Sequence, residues 1–473
     1  MNTVQQPESR KAVSVGKQRN YNDIVDYLNQ HWAIAPDLSL DRMRQLDKAL
    51  GSLSQKIPSI LVAGTNGKSL TVHFTAKLLK EEGLTVGTIS APHILLYNER
   101  FTLNNETISN KILTEIANKV IHAADQAGIA AHTSELLTAI ALQFFHENNV
   151  DVAVMEVYNG GISDPVNIMP SQVVTITRVT PAEGESDEII AASVKEMMGI
   201  VKKGTTITCG DQNKATLQLL QRMTEEQNGI WAMPIRKLAN LPYPFEQLHG
   251  RCAALAERIA QTFINQTALL QPATTIVSDS LLCKQKGLRG RPTLEAKRHS
   301  ELNPKRTLEQ FWKETVNELP GKFQFLDKEK PSILLDTASN LDSFKNFLLG
   351  IRLLHYQRPL KGLAIIIAAA KNTLEDEEFL KQVRYFFKKI SGHIFICALD
   401  EIEPDAHSKE SWDIEKITHE IKNMKVKARA CKNFEEAFEL AKKTVDERNG
   451  LVAITGSQAI VHAYWKLKGI KKF

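Results

Sequence analysis

A lysine and a serine, Lys68 and Ser69, stand directly behind the glycine-containing turn Gly64-Thr65-Asn66-Gly67 in the stretch "SILVAGTNGKSLTVHFTAKLLKEEG", residues 59–83. Glycines let a backbone aim several N–H groups at one point, and a helix N-terminus adds positive potential there, so phosphate is the natural ligand. Lys68 would reach the terminal phosphates of a nucleotide, and the Ser69 hydroxyl would ligate its Mg²⁺. The bland alternative is a plain glycine turn in a βα unit. The stretch also departs from the general G-x-x-x-x-G-K-[ST] spacing, because Ala63 stands four positions before Gly67 and Val62 five.

Such a turn needs a strand to feed it and a helix to follow it. Ile60, Leu61, Val62 and Ala63 form a short apolar run bounded by Gly64, which reads as a buried strand. From Ser69 the apolar positions Val72, Phe74, Ala76, Leu78 and Leu79 recur at helical spacings, and Gly83 closes the segment as a C-cap residue. A second chemical candidate, Glu156, follows the apolar run of "DVAVMEV" (151–157) and precedes Gly160-Gly161. Its alternatives are a strand-end surface carboxylate or a cleft carboxylate, and its neighbours favour the cleft.

The remaining chain shows strands alternating with helices, the pattern of an α/β fold with a parallel sheet. Helices are expected at 21–32 and 39–50, strands at 59–63 and 85–89, a loop at 90–106, and helices near 107–127 and 133–148. Strands at 151–157, 171–177 and 205–210 follow, with a helix over 187–204 and another over 250–266. "CKQKGLRGRPTLEAKRHSELNPKR", residues 283–306, carries eight basic and two acidic residues with no interleaved aromatics, so it reads as a solvated linker or insertion. Strands at 332–338, 362–370, 393–400 and 450–457 then give a second, smaller doubly wound unit. Ligands of such sheets sit at strand C-termini, so a site shared across the cleft is expected.

Composition bounds the rest. At 473 residues the chain exceeds what one hydrophobic core usually supports. The 59 basic and 54 acidic residues leave a net charge of +5, too small to point to nucleic acid as principal partner. Five scattered cysteines form no C-x-x-C pair and fit a reducing cytoplasm. No apolar run of membrane-spanning length occurs, and residues 1–20 read as a disordered N-terminus. The expected layout is 21–280 for the first domain, 281–315 for a basic linker or insertion and 316–473 for the second.

The motifs "GTNGKS" (64–69), "SAPHILLYNERF" (90–101), "TSELLTAIALQFF" (133–145), "MEVYNGGISDPVN" (155–167), "EMMGIVKKG" (196–204), "LPGKFQ" (319–324), "ILLDTASNLDS" (333–343) and "AITGSQAIV" (453–461) stand in an order that resembles the folylpolyglutamate and dihydrofolate synthases of the Mur ligase superfamily. The likeness covers about residues 20–465. It implies an N-terminal P-loop-type, parallel-sheet ATP-binding domain and a smaller C-terminal Rossmann-like α/β domain that close over the substrates. It also implies ATP and Mg²⁺ as cofactors, and a reaction joining a folate-like carboxylate to an amino acid through an acyl phosphate. On this pattern Gly64, Thr65, Asn66, Gly67, Lys68, Ser69, Asp336 and Asn340 hold the nucleotide, and Ser69 with Glu156 holds the metal ion. Lys68, Glu156 and His93 are the catalytic candidates. His93, Asn98, Arg100 and Glu135 are the substrate-side candidates, each equally readable as a structural loop or helix residue. A cytoplasmic monomer acting on small molecules, with no nucleic-acid or membrane partner, is the expectation.

Several positions depart from that pattern. Where active relatives carry a metal-bridging lysine, this chain has Met197; where they carry an Asp-His pair it has Thr180 and Pro181. The Asp-Gly-Ala-His-Asn segment has become Asp336-Thr337-Ala338-Ser339-Asn340, and the arginine of Pro-Gly-Arg is Lys322. The segment preceding the interdomain helix reads His249-Gly250-Arg251-Cys252-Ala253 and lacks the family's asparagine. The glycine that folate enzymes place between lysine and serine is absent too. Neither Met nor Pro replaces a hard-cation ligand. Two readings follow: a ligase with an altered site, with Lys195, Lys202 or Arg178 supplying charge, or a nucleotide-binding homologue that keeps the closed shape and catalyses little.

Overall fold

The computed structural model describes residues 18–37, 39–158, 160–180, 187–235, 239, 246–270, 282, 307–314, 319–371, 374, 377–399 and 410–473. Pro181, the basic segment 283–306 and most of the expected disordered N-terminus lie outside the described residues.

The first half is organised by an eight-stranded sheet: β1 (Ser59–Ala63), β2 (Val86–Ile89), β3 (Phe101–Leu103), β4 (Glu106–Thr107), β5 (Val152–Glu156), β6 (Val173–Ile176), β7 (Thr206–Cys209) and β8 (Ile230–Trp231), in spatial order β4-β3-β2-β5-β1-β6-β7-β8. From β2 to β8 every pairing is parallel; β3 and β4 add an antiparallel edge. β1 is buried at all five positions because helices cover both faces of the sheet. Alternate residues go to opposite layers: Leu61 and Ala63 pack with the helices Asn110–Gln126 and Thr133–Glu147, Ile60 and Val62 with Lys68–Glu81 and Glu246–Leu270.

The second half holds a six-stranded sheet: β9 (Gln324–Leu326), β10 (Ser332–Leu335), β11 (Leu363–Ile367), β12 (His393–Cys397), β13 (Lys427–Cys431) and β14 (Leu451–Thr455), ordered β13-β12-β11-β14-β10-β9, with only β9 antiparallel. The short helix Leu308–Glu314, inside the stretch expected as linker, packs Phe311 and Trp312 into an apolar layer of the first sheet. There the Trp312 indole N–H donates to Glu257 at 2.7 Å.

Three local expectations give way to tertiary structure. The expected loop 90–106 contains a short 3₁₀ turn, Tyr97–Arg100, and the β3–β4 hairpin, because its apolar side chains reach the sheet edge. The helix expected over 187–204 stops at Met198, and Gly199 then lies against Ile162, where a Cβ would come within 2.0 Å of the isoleucine side chain. β9 and β13 carry no strong apolar run and are edge strands, which the sequence pattern does not mark.

Candidate functional site

Parallel pairing places Val62 of β1 opposite Glu156 of β5, so the turn after β1 and the carboxylate ending β5 are neighbours by register. Gly64 adopts φ +130°, and a Cβ there would lie 2.2 Å from the Thr177 hydroxyl, so only glycine fits. Gly67, at φ +86°, turns the chain into the helix Lys68–Glu81. The loop is held from the β6 side: the Thr65 N–H donates to Arg178 O at 2.7 Å, the Thr177 hydroxyl donates to Asn66 O at 2.8 Å, and the Thr180 N–H donates to the Thr65 hydroxyl at 3.1 Å. Lys68 Nζ donates to Tyr158 O at 3.4 Å, and Ser69 Oγ lies 3.5 Å from Ala91 O.

Glu156 is 5% exposed and accepts from the Ala91 N–H at 3.3 Å. Burial pushes its carboxyl up, while the Lys68 and Lys322 ammoniums, the Ala91 N–H and the Ser69 hydroxyl favour the charged form. Lys322 belongs to the second half of the chain. Its Nζ donates to the Thr337 hydroxyl at 2.8 Å, and it also acts on Asp336, at the end of β10. Asp336 is 6% exposed and accepts from the Phe323 N–H at 3.0 Å; burial raises its pKa to about 6 against the pull of Lys322 and two backbone N–H groups. Two buried carboxylates, one from each sheet, thus share one lysine.

The turn itself touches the second half. Asn66 Nδ2 donates to Asn340 Oδ1 at 3.2 Å and to Asp342 Oδ2 at 2.8 Å, and Asn340 Nδ2 donates back to Asn66 Oδ1 at 3.0 Å. Arg178 pairs with Asp342 at 3.0 Å. The helix Glu246–Leu270 joins in, with His249 edge-on to Phe323 at 5.4 Å between centroids; burial lowers the His249 pKa to about 4.

The substrate-side candidates divide. The Arg100 Nε–H donates to His93 Nδ1 at 2.8 Å, and burial, Arg100 and His462 hold the imidazole well below its usual range, so His93 is neutral with Nε2–H as donor. His93 packs on Tyr97 at 4.3 Å, and the Arg100 guanidinium lies over Tyr97 and Trp32. With Trp32 edge-on to His132 at 5.1 Å, these rings form an aromatic cluster that no single motif spells out, because its members come from three segments. Asn98, by contrast, is internally satisfied: its Oδ1 accepts from the Tyr21 hydroxyl, and its Nδ2 donates to Ile108 O and Asn110 Oδ1. Glu135 caps its own helix through the His132 N–H and pairs with Arg42, both at 2.7 Å. These two hold elements in place.

The set Ser69 and Glu156 suits a hard cation that keeps water and phosphate as its other ligands. A second cation site of the expected kind does not fit. Met197 packs its side chain against the apolar layer, and the neighbouring Glu196 accepts from the Ser163 N–H and hydroxyl at 3.3 Å each. No cluster of three or more His, Cys, Asp or Glu suited to a metal occurs among the described residues. Of the expected substitute charges, Lys202 is spent on Asn167 O and Met169 O at 2.6 Å each, Arg178 on Asp342, and Lys195 is exposed.

Over 95% of this chain and 98% of the other, the structure superposes on Mycobacterium tuberculosis folylpolyglutamate synthase complexed with ADP, with a TM-score of 0.73 and 19% identity. The fold is that of the folylpolyglutamate synthases. A bifunctional folylpolyglutamate/dihydrofolate synthase with Mn, AMPPNP and L-glutamate bound matches with a TM-score of 0.69 and 19% identity over 96% of this chain and 100% of that one. Among curated proteins, the dihydrofolate synthase/folylpolyglutamate synthase of Bacillus subtilis is 31% identical over 246 residues, 50% of this chain and 53% of its own length. The chain spans about half the length of the curated relatives it matches. No family model matches. No helix among the described residues is long and apolar enough to cross a membrane.

Proposed function

We propose that this chain is an ATP-dependent ligase of the folylpolyglutamate/dihydrofolate synthase type, adding a glutamate-like amino acid to a folate-like carboxylate. The observation that carries the reading is the meeting of Lys68, Ser69 and Glu156 from the first sheet with Lys322 and Asp336 from the second. Transfer of a γ-phosphoryl group to a carboxylate crowds anions together, and cations fixed before reaction lower that barrier. A bound Mg²⁺ on Ser69 and Glu156 would supply Lewis-acid charge there. The chain's own share is to bind and orient: turn N–H groups and Lys68 hold the polyphosphate, and Lys322 brings a second ammonium from across the cleft. The carboxylate oxygen attacks the γ-phosphorus, the bond to ADP breaks, and the amine then displaces phosphate from the acyl phosphate. The half-buried Trp32 and His93 rings, the latter packed on buried Tyr97, border the space assigned here to a pterin-like acid. A monomer acting in the cytoplasm is part of the same proposal.

Met197, packed into the apolar layer where relatives place a lysine, favours one alternative: a nucleotide-binding homologue with little turnover. ADP release decides between them, measured with glutamate and a panel of pterin acids for wild type and Glu156→Ala. Substrate-dependent release abolished in Glu156→Ala supports the ligase; no release from wild type supports the alternative.

A further inference from the structure

Ile94, in the loop after β2 of the first sheet, is buried among residues of the second: it is 8% exposed and clusters with Ile333, Leu335, Ile454, Val461 and Tyr464. Its socket has Gly321 at the rim, where a Cβ would lie 2.7 Å from Ile94 Cδ1 and 3.4 Å from Val461 Cγ1. The loop that carries Ile94 is closed on itself. Its base is joined by the Ser90 N–H donating to Arg100 O at 2.9 Å. Inside it, the Glu99 carboxylate accepts three successive backbone N–H groups, from Ile94 at 2.7 Å, Leu95 at 2.8 Å and Leu96 at 2.7 Å. The same loop supplies the Ala91 N–H to Glu156 and holds His93 against Arg100.

A loop cross-linked in this way moves as a unit, since shifting Ile94 without Ala91 would break charge-assisted hydrogen bonds. We propose that the Ser90–Arg100 loop is a rigid coupler between the two halves: Ile94 seats in the second, Glu99 keeps the loop stiff, and seating sets the position of Ala91 and His93 beside Glu156. Ile94 and Glu99 are positioning residues, and the assignment rests on the proposed reading of Glu156 and Lys68 as a nucleotide site only for its binding readout.

The test uses the full chain without nucleotide, then with ADP and Mg²⁺. Amide hydrogen exchange is compared for wild type, Ile94→Val, Gly321→Ala, the double variant and Glu99→Gln. Gly321→Ala pushes a methyl group at Ile94 Cδ1, and it also strains the backbone at φ +65° and meets Thr337 Cγ2 at 3.0 Å; Ile94→Val removes only the Ile94 carbon, so recovery in the double variant reads the Ile94 share. The expected result is at least tenfold faster exchange at Ala91 and His93 in Gly321→Ala, recovered at least threefold in the double variant. Glu99→Gln is expected to speed exchange at Ile94, Leu95 and Leu96 tenfold or more, and ADP affinity should fall in parallel in Gly321→Ala and recover in the double variant. Unchanged exchange at Ala91 and His93 in Gly321→Ala, or a double variant no better than the single, overturns the coupler. Wild type that binds no ADP overturns the nucleotide reading instead, and the exchange comparison still decides the coupler.

Discussion

The side chains of Asn66 and Asn340, 274 residues apart in sequence, exchange hydrogen bonds of 3.2 and 3.0 Å, so the Gly64–Gly67 turn of one half is tied to a helix start of the other. Asn340 Oδ1 also accepts the Ser343 N–H at 2.9 Å and thereby caps the helix Leu341–Gln357. A cap and a cross-link in one residue make the two halves respond together.

Replacing Asn66 by Ala removes the amide pair and the bond to Asp342, and leaves partly buried acceptors unsatisfied. A loss of about 1–3 kcal/mol is expected. Urea denaturation of Asn66→Ala, Asn340→Ala and the double variant checks it: the two losses should be non-additive, because either change breaks the shared pair. Asn340→Ala should cost more, since the helix cap goes too.

Asp336 makes stability depend on pH. Its folded pKa, about 6, exceeds the ordinary aspartate value of 3.8, because burial penalises the charged form. The folded state therefore holds its proton more tightly than the unfolded chain between those values. That contribution is fully present below about pH 4 and is lost as pH rises through 6. By linkage the cost at neutral pH is about 3 kcal/mol, at 1.36 kcal/mol per unit. Asp336→Asn should thus gain stability relative to wild type at pH 7.5 and lose most of that gain at pH 4.5, measured as melting temperature of the nucleotide-free chain. An equal difference at both pH values would contradict the assignment.

Nucleotide should stabilise by mass action. ATP·Mg²⁺ at a hundredfold excess over its dissociation constant adds about 2.7 kcal/mol. Lys68→Ala should remove most of the melting shift, read against the variant's own ligand-free melting temperature, because Lys68 also favours the charged form of buried Glu156 beside its 3.4 Å contact to Tyr158 O. Equal shifts in both proteins would sink the phosphate assignment.

The parts of this fold legible in the sequence are those written locally. β1, its glycine turn and the following helix fall where the apolar run and Gly64-Gly67 put them, because a fully buried parallel strand and its turn are specified within a dozen residues. What escaped was specified at a distance. Strands β9 and β13 have weak or polar patterns whose order comes from pairing. Asn98 and Glu135 lie in the motifs that suggested substrate contact, yet only the fold shows their polar atoms turned toward Ile108, Asn110, Arg42 and His132. Lys322 stood out only as a departure from arginine. Its place between Glu156 and Asp336 depends on residues 166 positions before it and 14 after it.

Met197 decides how far the site can be brought to the pattern of the family it resembles. Its side chain packs against the first sheet's apolar layer, and its backbone is pinned by Gly161, where a Cβ would lie 2.9 Å from Met197 Cα. A lysine there has to bring an ammonium out of that layer or leave it partly desolvated. Met197→Lys should therefore lower stability by about 1 kcal/mol or more, in the ordinary range for a disturbed core contact. It should also fail to raise ADP release, because the adjoining Glu196 is turned to Ser163 rather than toward Glu156. Lys322→Met, which removes the cation shared by the two buried carboxylates, should instead reduce ADP release by at least tenfold, equivalent to about 1.4 kcal/mol of barrier. Paired measurements of melting temperature and ADP release for the two variants check both statements. If Met197→Lys raises release while Lys322→Met leaves it unchanged, the site works with charge near residue 197, and the assignment of that role to Lys322 fails.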